Sequence, residues 1–273
     1  MNPLPNNRKP FRNKLLWRAL LSSVTISLLC FGGKATGYSA IVTFQDDFEG
    51  HTPGEAPGAP WTAVSDGPGS GSVTVIQDEN DLFGKGTTNQ ILEYRKDGTD
   101  SAQNLVTEET FSAEVARIRF NFFQPEDEFD EHSWIILYAG SRSTGNRAQV
   151  MNFGADGDTI GSSAIYDRGV VNQLELIVNN SNDPFSYSNG QTVEPGTVDI
   201  WINEVLAEEG FSAQNNQRGA ITTFEFNTSS SRQQAFFIDD MVIVPEPRAV
   251  GAVFGVVALG AVFVLRRRSS RRL

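Results

Sequence analysis

The chain is 273 residues long and carries 33 Asp and Glu against 22 Lys and Arg, a formal net charge of −11 at pH 7. Both ends are basic and free of acid: residues 1–37 hold six Lys or Arg and residues 248–273 hold six more, which leaves the middle with ten against 33 and a net charge of −23. So acidic a surface repels phosphodiesters and acidic polysaccharides at low salt, which excludes nucleic acid as an unaided partner, and it favours solubility outside a cell without any ligand.

Arg8, Lys9, Arg12, Lys14 and Arg18 form a basic region, followed by an apolar stretch from Ala19 to Phe31 and the small residues Ala35-Thr36-Gly37. This order predicts a secretory signal peptide over residues 1–37, cut after Gly37 by signal peptidase. The single cysteine, Cys30, lies inside it behind Leu28 and Leu29, where a lipid-modified cysteine would follow small residues. The exported part then has no thiol, and its stability owes nothing to disulfides.

Residues 38–243 are of ordinary size for one domain and carry strand signals throughout, with no amphipathic helix of useful length. The clearest are Ile41–Phe48, Ser72–Gln77, Asn89–Arg95, Ala113–Phe123, Trp134–Ala139, Ala148–Phe153, Leu174–Asn179, Thr197–Asn203, Ile221–Phe226 and Ala235–Val244. Ile118, Phe120 and Phe122 alternate with Arg117, Arg119 and Asn121; Val198, Ile200 and Ile202 alternate with Thr197, Asp199, Trp201 and Asn203. One dry and one wet face per strand is the pattern of antiparallel sheets packed as a sandwich. Asp97-Gly98, Asp156-Gly157, Asn189-Gly190 and Pro195-Gly196 separate the strands, and the apolar-poor stretch Ser181–Gly196 is a rim loop or a long crossover.

Several constellations within this domain bear on chemistry. Asp47 and Glu49 near the first strand and Asp240 in the last offer hard oxygen ligands to a structural Ca²⁺ if those strands are neighbours. Regular alternation puts Asp240 on the face of Phe236, Ile238 and Val242, and Asp239 on the face of Phe237, Met241 and Ile243. Trp201, an aromatic on a polar strand face, suits sugar binding, with Trp134, Tyr138 and Tyr187 as further candidates. The acidic run from Glu126 to Glu131 lacks the second paired carboxylate that retaining glycoside hydrolysis needs, since Ser133 and Trp134 stand where it belongs. His51 and His132 fall in loops and read as exposed; no nucleophile elbow or phosphate loop is present. No catalytic residue is assigned.

At the C-terminus, Val244-Pro245-Glu246-Pro247 precedes an uncharged apolar run from Ala249 to Leu265 and the cluster Arg266-Arg267-Arg268. The run is a short transmembrane helix, and arginine snorkelling makes up its length. The basic tail 266–273 keeps the end in the cytoplasm and puts the domain outside.

The leader together with Val244, Pro245, Glu246, Pro247, the short span and Arg266, Arg267 and Arg268 resembles the PEP-CTERM sorting signals of Gram-negative bacteria. That resemblance makes residues 244–273 a sorting signal. It implies an exosortase as partner during export, anchoring in the inner membrane before processing, and a final place at the cell surface or in a biofilm exopolysaccharide matrix. Arg248 departs from the small or hydroxyl residue usual after the motif. Separately, FQDDFEGHTPGEAPGAPW, VDIWINEVL and FFIDDMVIV resemble concanavalin A-like, laminin G-type jelly rolls. This implies an all-β antiparallel sandwich, Ca²⁺ near the junction of first and last strands, and a non-catalytic glycan-binding or structural role. A polysaccharide lyase or glycoside hydrolase on the same fold is the alternative.

Overall fold

The computed structural model describes residues 44–65, 71–96, 103–126, 133–144, 146–155, 159–187, 190–212, 217–228 and 234–246. The predicted signal peptide, Pro247, the apolar run 249–265, Arg266, Arg267 and Arg268 lie outside them, as do residues 127–132 of the acidic run. No helix among the described residues is long and apolar enough to cross a membrane.

In chain order the strands begin with β1 Phe44–Asp46, β2 Trp61–Ser65, β3 Ser72–Gln77, β4 Gln90–Lys96, β5 Gln103–Ala113 and β6 Val115–Phe123. There follow β7 Ser133–Tyr138, β8 Arg147–Ala155, β9 Thr159–Ile160, β10 Ala164–Ile165 and β11 Val171–Asn179. The last are β12 Phe185–Ser186, β13 Thr192–Val193, β14 Thr197–Ile202, β15 Val205–Phe211, β16 Ile221–Thr228 and β17 Gln234–Pro245. One sheet runs β15-β14-β11-β6-β17-β4-β3, with β1 also on β17; the other runs β10-β9-β8-β7-β16-β5-β2. The ladders within both sheets are antiparallel, as half-dry strands favour.

Alternation decides which side chains fill the space between the sheets. Ile118, Phe120 and Phe122 of β6 and Val198, Ile200 and Ile202 of β14 share one buried cluster with Ile135 and Leu137 of β7 and Phe224 and Phe226 of β16. Phe120 meets Phe226 edge to face across the two sheets at 5.3 Å between centroids. Each such side chain contributes roughly 1.5–3 kcal/mol by leaving water.

Two expectations change in β17. Its alternation is not regular: Asp240 has φ of 54°, and two residues are set against one of β6 between the pairs Asp239↔Asn121 and Val242↔Arg119. This bulge switches the inward parity, so Phe236 and Ile238 face the core before it and Met241 and Ile243 after it. Asp239 is the fully buried aspartate, and Asp240 is partly exposed. The bulge also marks where the second neighbour of β17 changes, from β4 ending at Ile238↔Leu92 to β1 beginning at Asp46↔Met241.

The stretch Ser181–Gly196 is not a bare loop; it holds the β12–β13 ribbon, tied back by Asn179 Nδ2, which donates to Asp183 O at 2.8 Å and Val193 O at 2.9 Å. His51 is also not exposed. Its Nε2 donates to Asp46 Oδ2 at 2.9 Å and its Nδ1 accepts from Gly58 N at 3.2 Å, which folds the Gly/Pro loop onto β1.

Candidate functional site

The outer face of the second sheet brings chemistry-bearing side chains into rows fixed by register. One row runs Asn152, Trp134, Asn227, Asn104 across β8, β7, β16 and β5. The next runs Val150, Ile136, Glu225, Val106, Thr62, with β2 as the fifth strand. A third places Arg147, Tyr138 and Thr223 side by side. The partners of these residues along each strand, Ile135, Leu137, Met151, Phe224, Phe226 and Leu105, face the core, which is why this set faces away from it. The set is withdrawn from solvent at Ile136, Tyr138, Glu225, Val106, Thr223 and Asn104, whereas Asn152, Arg147 and Thr62 are exposed and Trp134 is half-buried.

Glu225 organises the centre. Its Oε2 accepts from Tyr138 OH at 2.6 Å and Arg142 Nε at 3.2 Å, and its Oε1 accepts from Asn227 Nδ2 at 2.9 Å. A buried carboxylate held this way has its charge balanced by the guanidinium and each of its oxygens hydrogen-bonded. Burial pushes the Tyr138 phenol up to about 12, and the hydrogen bond and charge of Glu225 add to the shift against a smaller opposing effect of Arg147. Tyr138 therefore stays protonated through the neutral range. Chemically the face offers an aromatic side chain beside amides and a guanidinium, suited to ring C–H stacking and hydroxyl recognition.

The sequence-predicted residues divide between places. Trp134 and Tyr138 stand together on this face. Trp201 points out of the other sheet, because Val198, Ile200 and Ile202 take its inner face. There its Nε1 donates to Tyr187 OH at 3.2 Å, and Tyr187 OH donates to Asp199 Oδ2 at 2.7 Å. The Tyr187 phenol is raised by burial and by Asp199. This chain of bonds pins the ribbon end to β14.

Asp47, Glu49 and Asp240 each have another partner, although β1 and β17 are neighbours as expected. Asp47 Oδ1 accepts from Glu49 N at 3.2 Å, Glu49 Oε1 accepts from Gln90 N at 2.9 Å, and Asp240 accepts from Lys85 Nζ at 2.7 Å and Asn121 Nδ2 at 3.0 Å. Among the described residues no group of three or more His, Cys, Asp or Glu is arranged to hold a metal ion. These carboxylates as placed do not fit a calcium ligand set. The seam is held instead by a lysine: Lys85 Nζ also reaches Asp239 Oδ2 at 3.0 Å, where Asn89 Nδ2 donates at 3.0 Å. Burial raises the Asp239 carboxyl, opposed by Asn89 and Lys85.

Of the predicted sorting residues, Val244 and Pro245 continue β17, and Glu246 follows with its N donating to Val115 O at 2.9 Å. Arg117 Nε donates to Glu246 Oε1 at 2.7 Å and its Nη1 to Glu175 Oε1 at 2.9 Å. Sequence reasoning overlooked Glu225, Arg142, Asn227 and Asn152. The alternation in Ile221–Phe226 already puts Glu225 opposite Phe224 and Phe226, so that one was open to reading.

No family model matches the chain, and no curated protein matches it in sequence. Among solved structures, the T. cruzi calreticulin globular domain is similar with a TM-score of 0.50 at 9% identity, over 82% of this chain and 98% of that one. The two-sheet antiparallel sandwich resembles those of the concanavalin A-like, jelly-roll type. The cellulose induced protein Cip1 is similar with a TM-score of 0.47 at 13% identity, over 73% of this chain and 96% of that one. The family 11 carbohydrate-binding module of Clostridium thermocellum, solved with a β-1,3-1,4-mixed-linked tetrasaccharide, is similar with a TM-score of 0.38 at 14% identity, over 76% and 97%. At such identities the likeness is one of fold alone.

Proposed function

We propose that the chain is an exported, exosortase-sorted protein of the cell surface or exopolysaccharide matrix whose sandwich binds extracellular glycan without catalysis. The observation that carries the binding role is Trp134 in register with the exposed Asn152 and the half-buried Asn227 on the outer face of the second sheet. Trp134, Asn152 and Arg147 would meet the sugar, and buried Glu225 would position Tyr138, Arg142 and Asn227 beneath it. A binding role without chemistry is supported by the Tyr138 phenol, which is no base near neutrality, and by Glu225, whose oxygens are committed to three donors. The export role rests on the PEP-CTERM resemblance, with the membrane held through residues 249–265 and the exosortase reading Val244 to Pro247.

Affinity electrophoresis of the full chain through soluble polysaccharides tests the binding role. Trp134→Ala should remove retardation, a loss of at least about tenfold in affinity, with an unchanged melting temperature. Retardation equal to that of the unaltered chain would sink the reading, and release of reducing or unsaturated sugars would replace it with the enzymatic alternative. For the export role, a full-length product recovered from the cytosol with both ends intact is the contrary result.

A further inference from the structure

The outer face of the first sheet, on the far side of the sandwich from Trp134, carries a cleft of about 550 Å³. Its floor is Ile91, Glu93 and Arg95 of β4 with Phe237 of β17, residues that alternate with the core-facing Leu92, Tyr94, Phe236 and Ile238. This volume lies within the roughly 300–1,000 Å³ of small-molecule sites.

Both walls are held by the chain's own bonds. On one side Gly54 N donates to Val75 O at 2.8 Å and Val75 N to Glu55 O at 2.8 Å, so Pro53–Glu55 closes the free edge of β3. On the other, Asp78 is 2% exposed and accepts from Leu82 N at 2.8 Å and Phe83 N at 3.0 Å. Asp81 Oδ1 accepts from Gly86 N at 2.6 Å, and Lys85 ties the far end of the same loop to Asp239 and Asp240. A cleft whose walls are set before any ligand arrives spends little binding energy on ordering.

We propose that this cleft is a second binding site, taking a neutral, pyranose-sized polyol such as the terminal unit of a glycan chain. On the floor Arg95 Nε donates to Glu93 Oε1 at 3.1 Å, and Asp78 and Glu79 in the wall leave the lining acidic, which turns an anionic ligand away. The same pair supplies adjacent donors and acceptors for vicinal hydroxyls, and Gln77 and Asn80 add amides above them. Ile76, Leu82 and Phe237 offer the apolar surface that the ring C–H groups of a sugar require. The site stands apart from Trp134 and does not depend on the glycan role proposed for that face.

Isothermal titration of the full chain with cellobiose, lactose and xylobiose tests the assignment. At least one should bind, should still bind after Trp134→Ala, and should weaken by at least about tenfold after Glu93→Gln and after Asn80→Trp, which blocks the mouth from an exposed loop position. Absence of binding by all three sugars overturns the assignment. So does undiminished binding by Asn80→Trp, which also decides the question if Glu93→Gln fails to fold.

Discussion

Glu225 shows how much one buried carboxylate can organise. Removing one of its donors with Tyr138→Phe should cost about 1 kcal/mol in chemical denaturation, because the oxygen it leaves has no access to water. The same variant carries a pH signature. Tyr138 binds its proton more tightly folded than unfolded, so its share of stability is whole below the ordinary phenol value of 10.0 and is lost as pH rises towards about 12. Tyr187 and Lys85 are also raised and act in the same direction. The difference between the unaltered chain and Tyr138→Phe should therefore narrow between pH 10 and 12 while the remaining alkaline loss persists. A difference that stays constant with pH would contradict it.

Single residues were readable from the sequence where one strand's alternation decided their face, as for Trp201 and the inward aromatics of β6. What they touch was not readable, because Glu225 and Arg142 meet only through the pairing of β7 with β16. Trp201 illustrates the limit: its polar face was legible, but the ribbon that claims its indole N–H arises from a stretch with almost no apolar pattern.

At the scale of elements, ten strand signals found their counterparts, but the longer strands β2, β5 and β15 and the two-residue strands β9, β10, β12 and β13 gave no usable signal. β5 mixes Asn104, Thr107, Glu108 and Glu109 into a strand paired on both sides, and β15 carries two glutamates and Gly210 at the sheet edge. In both, tertiary pairing overrides local propensity. The bulge in β17 was hidden for a related reason, since nothing local marks where β4 gives way to β1.

That junction makes a definite prediction. Lys85→Met leaves Asp239 buried beside Asp240 without its cation, and should cost about 1–3 kcal/mol, less than a fully enclosed pair because Lys85 keeps contact with water. Unfolding curves that coincide would show that Asn89 and Asn121 suffice. In the β14–β15 hairpin, Asn203 and Glu204 both have positive φ, 51° and 66°. Two positive values belong to the tight turn that prefers Asn-Gly. Glu204→Gly should raise stability by about 0.5 kcal/mol, the relief of left-handed strain less the entropy glycine brings to the unfolded chain. A lowered melting temperature would contradict this.

Across the whole molecule, the two sheets are joined by their shared core and, at their margins, by carboxylates: Asp46 Oδ2 of β1 accepts from Trp61 Nε1 of β2 at 2.6 Å, and Glu208 bridges elsewhere. Glu208 on β15 of the first sheet accepts from the backbone N–H groups of Ser162 and Ser163 at 3.0 Å each and from the Ser162 hydroxyl, at the turn joining β9 to β10 of the second. Burial alone would raise this group, but these donors hold it below the ordinary carboxylate value. Its contribution is present above the unfolded value of 4.5 and disappears as pH falls through the lower folded one. Glu208→Gln should therefore lower stability at neutral pH and converge with the unaltered chain in acid, as followed by denaturant midpoints from pH 7 downwards.

The polypeptide beyond Glu246 departs from β17, a strand flanked by β6 on one side and by β4 and β1 on the other. Tension arriving through that segment runs along the strand, so its ladders must fail in shear and together, not peel apart one rung at a time. Arg117 adds a catch at the point where the load enters. Were the chain held from this end, as the proposed sorting role would have it, the load would fall on all three neighbours of β17.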